Sequence, residues 1–564
     1  MKRSNRNYAF TGAFVGALAN LGLRHVCITP GSRNSPLALA FAEHPDISDW
    51  IHHDERSSAF FALGLANASR QPVAVVTTSG TAAAELHPAA VEAHLARIPL
   101  LLLTADRPPE LRGVGAPQAI DQINLFGTAV RWFHDAALPD PQQGRYPVTL
   151  AARAWASALD LPAGPVHINF PFRDPLAPVV VPGDTGDANE AVTPSGYVPG
   201  RLHIDRAALA GIARTVSGNR TLLVAGPLDR PDFPAAVAAL AGRAGFPVVA
   251  DPLSQLRAGQ HDRSRVITTG DPLARTGRFD ADLAPEVVIR FGAMPTSKAV
   301  STWLADHPQI PQIVVDDAGW RDPGASATSV VRSDPTHFAE HLTGIVDPAP
   351  SEWATTWERA DRRARAALTA SLVFPSEPAV VAALAKVVAD QTTLYVGSSM
   401  PVRDVDAFFP SVDRRVRFLS NRGANGIDGL ISSGLGAAAA GAPVIILSGD
   451  LSLLHDLTAL GTAARFALPV TVIVVNNNGG GIFHFLPQAA FPEHFERLLG
   501  TPHGTDFQAA AGLFGIEHHL VEDEAVFQAL VAKESNSPRL IEIRTDRGEN
   551  VAVHEQAWQA VAGS

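Results

Sequence analysis

Two apolar, β-branched runs, APVIILSGD and PVTVIVVNNNGGGIF, flank LHDLTALGTAARFA, a stretch with helical spacing. Short apolar runs bounded by turn residues read as buried strands, and a helix between two of them dictates a parallel pair joined by a crossover. That unit puts Asp450 and Asn477 at the same carboxyl edge of one sheet, where open α/β sheets bind their ligands. A carboxylate, a carboxamide oxygen and the Gly479 carbonyl, on a Gly-rich turn that permits close approach, suit a hard cation carrying a diphosphate. Taken singly, Asp450 also reads as a helix cap and the Asn run as a turn. Both features at matching strand ends favour the cation site.

The same alternation runs along the whole chain, and 564 residues are too many for one core. Three consecutive α/β domains with mainly parallel sheets covered by helices are expected, over 1–180, 200–345 and 355–564. The first carries HVCIT, PVAVVTT, IPLLLLTA and GPVHINF as strands, with helices over 57–68 and 82–95. A Pro/Gly/Asp-rich stretch over 175–200 has no sustained period and reads as a linker. The second block holds TLLVAG, FPVVAD, EVVIRFG and PQIVVDD and closes on the Pro-rich VDPAPSE. The third holds TTLYVGS, RVRFLS, VIILSG, TVIVVN and RLIEIRT.

Composition narrows the function classes. A formal net charge of -11 leaves no broad basic face for nucleic acid. Cys27 is the only cysteine and sits in HVCIT, which excludes a disulfide framework and suits a packing role in a reducing compartment. The start, MKRSNRNYAF, lacks an adequate apolar h-region and no run approaches a membrane span. A cytoplasmic protein without membrane insertion is expected. No HExxH or paired Cys/His spacing points to zinc, and the middle block lacks a full G-x-G-x-x-G fingerprint for NAD or FAD.

Further polar residues fall at expected strand ends. Glu55, in IHHDERSSAFFALGLANA, opens a helix with an apolar stretch behind it. Partial burial raises a carboxyl's affinity for its proton and suits a shuttle near neutral pH. A first-turn glutamate favoured by the helix dipole is the plainer alternative. TPGSRNSP leaves a strand at Thr29 and turns through Gly31, so backbone N–H groups, Ser32 and Arg33 face an anion, or merely cap a helix. TADRPPELRGVGAPQAIDQ sets Arg107 after another strand with Gln118 a short loop later, and two arginines at neighbouring strand ends suit a substrate bearing carboxylates. VGSSMPVRD and FLSNRGANGIDG add Ser399, Arg403 and Arg422 beyond strand ends. Lys298, in PTSKAV, reads on its own as a solvated surface lysine.

GDLSLLHDL followed by VVNNNGGGIF, with Glu55 in the first block, resembles the thiamine-diphosphate-dependent decarboxylase and carboligase superfamily. Its metal motif is Gly-Asp-Gly followed at a distance by Asn-Asn. Leu451 stands where the third motif position is usually glycine. That departure is similar to the menaquinone-pathway branch, which joins 2-oxoglutarate to isochorismate with loss of CO₂. The resemblance implies a thiamine-diphosphate-binding fold in the first and third domains, and a transferase that adds a succinyl carbanion to isochorismate in 1,4 fashion. It implies that Asp450, Asn477 and the Gly479 carbonyl hold Mg²⁺ or Mn²⁺, and that Glu55 exchanges a proton with the aminopyrimidine. Ile427 would bend the cofactor, where an ordinary packed isoleucine is the alternative. Ile482 and Phe483 would line the cofactor's substrate side. Ser32, Arg33, Arg107, Gln118 and Lys298 are expected at isochorismate, and Ser399, Arg403 and Arg422 at the distal carboxylate of 2-oxoglutarate. Arg403 is also expected to touch isochorismate, and Pro117 stands where a polar contact residue is expected. Cofactor held between the first domain of one subunit and the last of another implies a homodimer or a dimer of dimers. An acetolactate-synthase-type carboligase or 2-oxo acid decarboxylase is the enzymatic alternative, and a non-catalytic ligand-binding relative is the other. A site for pyruvate alone has no use for basic residues at Arg33, Arg107, Lys298, Arg403 and Arg422.

Overall fold

The computed structural model describes residues 4–184 and 193–564, so positions 185–192 of the expected linker lie outside the described residues. Three six-stranded sheets carry the fold. The first joins β1 (His25–Ile28), β2 (Ser48–Ile51), β3 (Val73–Thr77), β4 (Leu100–Asp106), β5 (Trp132–Asp135) and β6 (Val166–Pro171), in the order β2-β1-β3-β4-β6-β5. The second joins β7 (Thr221–Ala225), β8 (Val248–Ala250), β9 (Val266–Ile267), β10 (Val287–Phe291), β11 (Gln312–Val315) and β12 (Ser329–Val331), in the order β12-β11-β10-β7-β8-β9. The third joins β13 (Thr393–Val396), β14 (Arg417–Leu419), β15 (Val444–Gly449), β16 (Val470–Asn476), β17 (Glu517–Leu520) and β18 (Arg539–Arg544), in the order β14-β13-β15-β16-β18-β17. Every pairing is parallel, as in β1 with β3, β10 with β7 and β15 with β16. Helices cover the sheets, as the strand–helix alternation requires.

Interior strands coincide with the apolar runs of the sequence, because a strand covered on both faces is apolar at nearly every position. VAVVT in β3 and LLLLTAD in β4 are buried throughout. Strands β2, β5, β9, β12 and β17 were not expected, and each lies at a sheet edge. SDWI in β2 and EHHL in β17 are half-exposed and polar, so they offer no apolar run to read. Two expected helices are broken. The helix over 82–95 divides into Thr81–Ala84 and His87–Ala96, because Pro88 lacks an N–H and its ring excludes the carbonyl of a preceding turn. The crossover between β15 and β16 divides into Asp450–His455 and Ala459–Arg465, with a turn at 456–458 where Asp456 reaches away to bind Ser432.

The chain forms two compact units whose boundaries do not follow chain order. One contains Met1–Gly200, Asn421–Ala442 and Leu454–Leu468; the other contains Arg201–Ser420, Pro443–Leu453 and Pro469–Ser564. Within the first, helix Glu55–Ser69 meets helix Leu430–Ala439 backbone to backbone. A Cβ on Gly64 would collide with the Ser433 carbonyl, and one on Gly436 with that of Phe61. Cys27 is buried in β1, where burial pushes its thiol pKa up. Within the second unit, the Gln255 side chain covers the edge of β14: its Nε2 donates to the Phe418 carbonyl at 2.7 Å and its Oε1 accepts the Phe418 N–H at 3.0 Å. Among the described residues no helix is long and apolar enough to cross a membrane.

Candidate active site

In the second unit, Gly449 of β15 pairs with Val475 of β16, so Asp450 and Asn477 follow neighbouring strand ends. Asp450 is 2% exposed and begins its helix. Its Oδ1 accepts Leu451 N–H at 2.6 Å and its Oδ2 accepts Gly479 N–H at 2.8 Å. His503 Nδ1 accepts the Thr505 N–H, which leaves the proton of a neutral ring on Nε2, 3.2 Å from Asp450 Oδ2.

The three consecutive asparagines do three different jobs. Asn476 donates to Glu542 Oε1 at 2.8 Å, tying the end of β16 to β18. Asn478 adopts a left-handed φ of 58°, and its Oδ1 accepts the N–H groups of His503 and Gly504. Asn477 donates Nδ2 to Glu377 Oε1 at 2.8 Å, while its buried Oδ1 has no partner. Gly479 has φ 141°, and a Cβ there would strike the Gly500 carbonyl. The set contains oxygen donors only, and no group of three His, Cys, Asp or Glu suited to a metal occurs among the described residues. One carboxylate, one orphaned amide oxygen and a tight glycine turn therefore fit a hard, octahedral cation that shares its shell with phosphate oxygens.

Beside this loop lies a cavity of about 560 Å³. Lys298, Arg403 and Ile482 line it, together with Asp404, Phe485 and His554. Lys298 is the exposed first residue of helix Lys298–Asp306. Arg403 is partly buried, which lowers its pKa, and its Nη1 donates to the carbonyl of Ser399. Ser399, at φ 70°, forms the turn from β13 into helix Met400–Phe408. Phe483 does not line the cavity; its ring lies beside Gly480, where a Cβ would crowd it. Asp404 Oδ1 lies 2.9 Å from His554 Nε2, and His554 Nδ1 is bonded to the Asn550 carbonyl. Burial pushes Asp404 up, whereas its carboxylate pulls His554 up against the opposing effect of burial. Burial, aided by the charge of Asp404, pushes Glu377 up to about 7.

The first unit gathers a second set at the ends of β1, β3 and β4. Gly31 passes so close to Thr78 that no side chain fits there. Arg33 Nη1 donates to the Phe172 carbonyl at 3.0 Å, and Ser32 beside it is exposed. Arg107 donates to Ser79 Oγ; burial first and the nearby Arg33 second lower its pKa. Gln118 Nε2 donates to the Ser79 carbonyl at 3.1 Å, and Ser79 Oγ donates back to the Gln118 carbonyl at 3.0 Å. Arg107 and Gln118 are thus tied to Ser79, with the charge of Arg33 close enough to act on Arg107. Ser79 is absent from the sequence reading although its Ser-Gly pair directly follows an apolar strand. Pro117 is exposed.

Glu55 is the first residue of helix Glu55–Ser69, capped by Asp54, whose carboxylate accepts Ser57 N–H at 3.0 Å. It is partly buried. Arg422 and Ile427 belong to the same unit, in the loop that leads to helix Leu430–Ala439. The buried Glu92 fixes that loop by accepting the N–H groups of Gly423 at 2.7 Å and Ala424 at 2.6 Å. Burial raises the Glu92 pKa, opposed by these two bonds and by Arg422.

Three family models cover most of the chain. The thiamine pyrophosphate enzyme N-terminal binding domain matches 10–125, the middle domain 210–396 and the C-terminal binding domain 406–543. The fold and the divided site therefore define a thiamine pyrophosphate (diphosphate) enzyme. The chain is 46% identical to 2-succinyl-5-enolpyruvyl-6-hydroxy-3-cyclohexene-1-carboxylate synthase of Geobacillus kaustophilus (strain HTA426), over 98% of this chain and 97% of the relative. Synthases of the same name from Geobacillus thermodenitrificans and Chloroflexus aurantiacus are each 45% identical, over 98% of this chain and 96% of theirs. The chain belongs to the 2-succinyl-5-enolpyruvyl-6-hydroxy-3-cyclohexene-1-carboxylate synthase family.

Proposed function

We propose that this chain, with thiamine diphosphate and Mg²⁺ or Mn²⁺, decarboxylates 2-oxoglutarate and adds the succinyl unit to isochorismate in a 1,4 addition of menaquinone biosynthesis. The observation that carries this is the orphaned, buried Oδ1 of Asn477, one strand end from Asp450, in a member of that synthase family. Asp450, Asn477 and the Gly479 carbonyl are the residues that would hold the cation. Bound thiamine diphosphate supplies the nucleophilic carbon and the electron sink that loss of CO₂ from a 2-oxo acid requires.

The remaining work belongs to side chains. Glu55 carries a proton at the aminopyrimidine, a role suited to a partly buried carboxyl with no partner among the described residues. Ser32, Arg33, Arg107 and Gln118 are donors for the carboxylates of isochorismate, Arg107 and Gln118 fixed in advance by Ser79 and Arg33 by the Phe172 carbonyl. Lys298 contributes charge from the cavity wall, and Arg403 and Arg422 with Ser399 bind the distal carboxylate of 2-oxoglutarate. Ile427 supports the bent cofactor, and Ile482 and Phe483 shield its substrate side. A pyrimidine-binding domain over 1–180, a central domain over 200–345 and a diphosphate-binding domain over 355–564 belong to the same proposal. So do a cytoplasmic location and a homodimer, or pair of dimers, that completes each site. Protein mixed with thiamine diphosphate, Mg²⁺, 2-oxoglutarate and isochorismate is expected to consume isochorismate and release CO₂. No turnover would overturn the assignment, and turnover of pyruvate without isochorismate would favour an acetolactate-type enzyme.

A further inference from the structure

A carboxamide has two ends of nearly equal shape, and only one of them can face a cation. Turning Asn477 over would present an NH₂ group where an oxygen ligand is needed. We propose that Glu377 is a positioning residue that fixes the Asn477 carboxamide with its oxygen toward the cation. This rests on Asn477 being a ligand. Glu377 is 3% exposed, stands at the start of helix Glu377–Val387 and does not line the substrate cavity. Its Oε1 accepts Asn477 Nδ2 at 2.8 Å and Thr545 Oγ1 at 3.3 Å. With the proton on or off Oε2, Oε1 offers those donors only lone pairs. A reversed amide would set oxygen against oxygen at a buried site. Gly481 lets the carboxamide sit there at all: a Cβ at that position would lie 2.5 Å from Asn477 Nδ2 and push the group away.

The test titrates full-length protein with Mn²⁺ in the presence of thiamine diphosphate, reading free Mn²⁺ by electron paramagnetic resonance. Circular dichroism monitors the fold of each variant. Asn477→Ala should weaken Mn²⁺ binding, and Glu377→Gln should weaken it by about 10–100-fold, the usual cost of losing an outer partner of a metal ligand. The double variant Glu377→Gln/Asn477→Asp should regain most of that loss. An aspartate has no wrong end, and the glutamine NH₂ can donate to it. If Glu377→Gln does not fold, Thr545→Val, which leaves Glu377 Oε1 to Asn477 alone, should keep Mn²⁺ affinity, and Glu377→Ala, which removes the acceptor, should lose it. Unchanged affinity in folded Glu377→Gln or Glu377→Ala, or a double variant no better than the single, would each overturn the orienting role. Unchanged affinity in Asn477→Ala would instead remove the ligand assignment itself, and the orienting role with it.

Discussion

Glu55 and Asp450 occupy the same address in two different sheets. Each is the first residue of a helix that follows a parallel strand, β2 for one and β15 for the other. Their surroundings are opposite. Asp450 is buried, with both oxygens accepting backbone N–H groups and His503 alongside. Glu55 is half-buried, and its carboxyl enters no hydrogen bond or ion pair among the described residues. Topology supplies the position, and the neighbouring loop decides whether a carboxylate there is a fixed holder or an uncommitted acid.

The contrast can be broken at either residue. Glu55→Gln should lower kcat by about 10²–10⁴-fold, the usual worth of a general acid–base group, while Mn²⁺ and thiamine diphosphate still bind. Full activity in that variant would leave Glu55 without its role. Asp450→Ala should act on binding first, weakening Mn²⁺ affinity by at least about 100-fold, since a direct ligand is worth no less than the outer partner of one. Titration with free Mn²⁺ as the readout separates the two variants. A kcat effect with unchanged affinity would make Asp450 resemble Glu55 and erase the distinction.

A third carboxylate, Asp456, sharpens the comparison. It is fully buried in the first unit, accepting Ser432 N–H at 2.7 Å and Ser432 Oγ at 3.0 Å. Burial nevertheless pushes it up to about 6. Between its unfolded value near 3.8 and about 6 the folded chain holds the extra proton, so stability falls as pH rises through that window and the loss is complete above it. The shift corresponds to about 3 kcal/mol at most. Denaturant unfolding at pH 4.5 and at pH 7 should show that fall in the wild type and not in Asp456→Asn, relative to each protein's remaining pH dependence. Equal pH dependence in the two would show that Asp456 is ionised throughout.

Interior strands and strand-end residues were legible because both obey local rules. An apolar run such as TVIVVN marks a covered strand, and a polar residue directly after it marks the ligand edge. Edge strands such as β17 escape, since partial exposure removes their apolar signature. The supporting residues escape for a different reason. Glu377 lies 100 positions from Asn477, and Glu92 lies 331 from Gly423. No spacing rule reaches so far, and only the folded chain brings those partners together. Leu451 shows the reverse case: its departure from the general metal motif weakens the superfamily match and narrows the choice to one branch, the branch whose name the Geobacillus relatives carry.

The asparagine run also bears on how the protein ages. Asn478-Gly479 is the kind of dipeptide that loses ammonia on storage, when the glycine nitrogen attacks the asparagine side-chain carbon to close a five-membered ring. Here that nitrogen donates its hydrogen to Asp450, and the Asn478 oxygen is engaged by two N–H groups of the 503–504 turn. The bonds that shape the loop also hold the two reacting groups in place, so this Asn-Gly peptide is expected to keep its chemistry for as long as that loop stays folded.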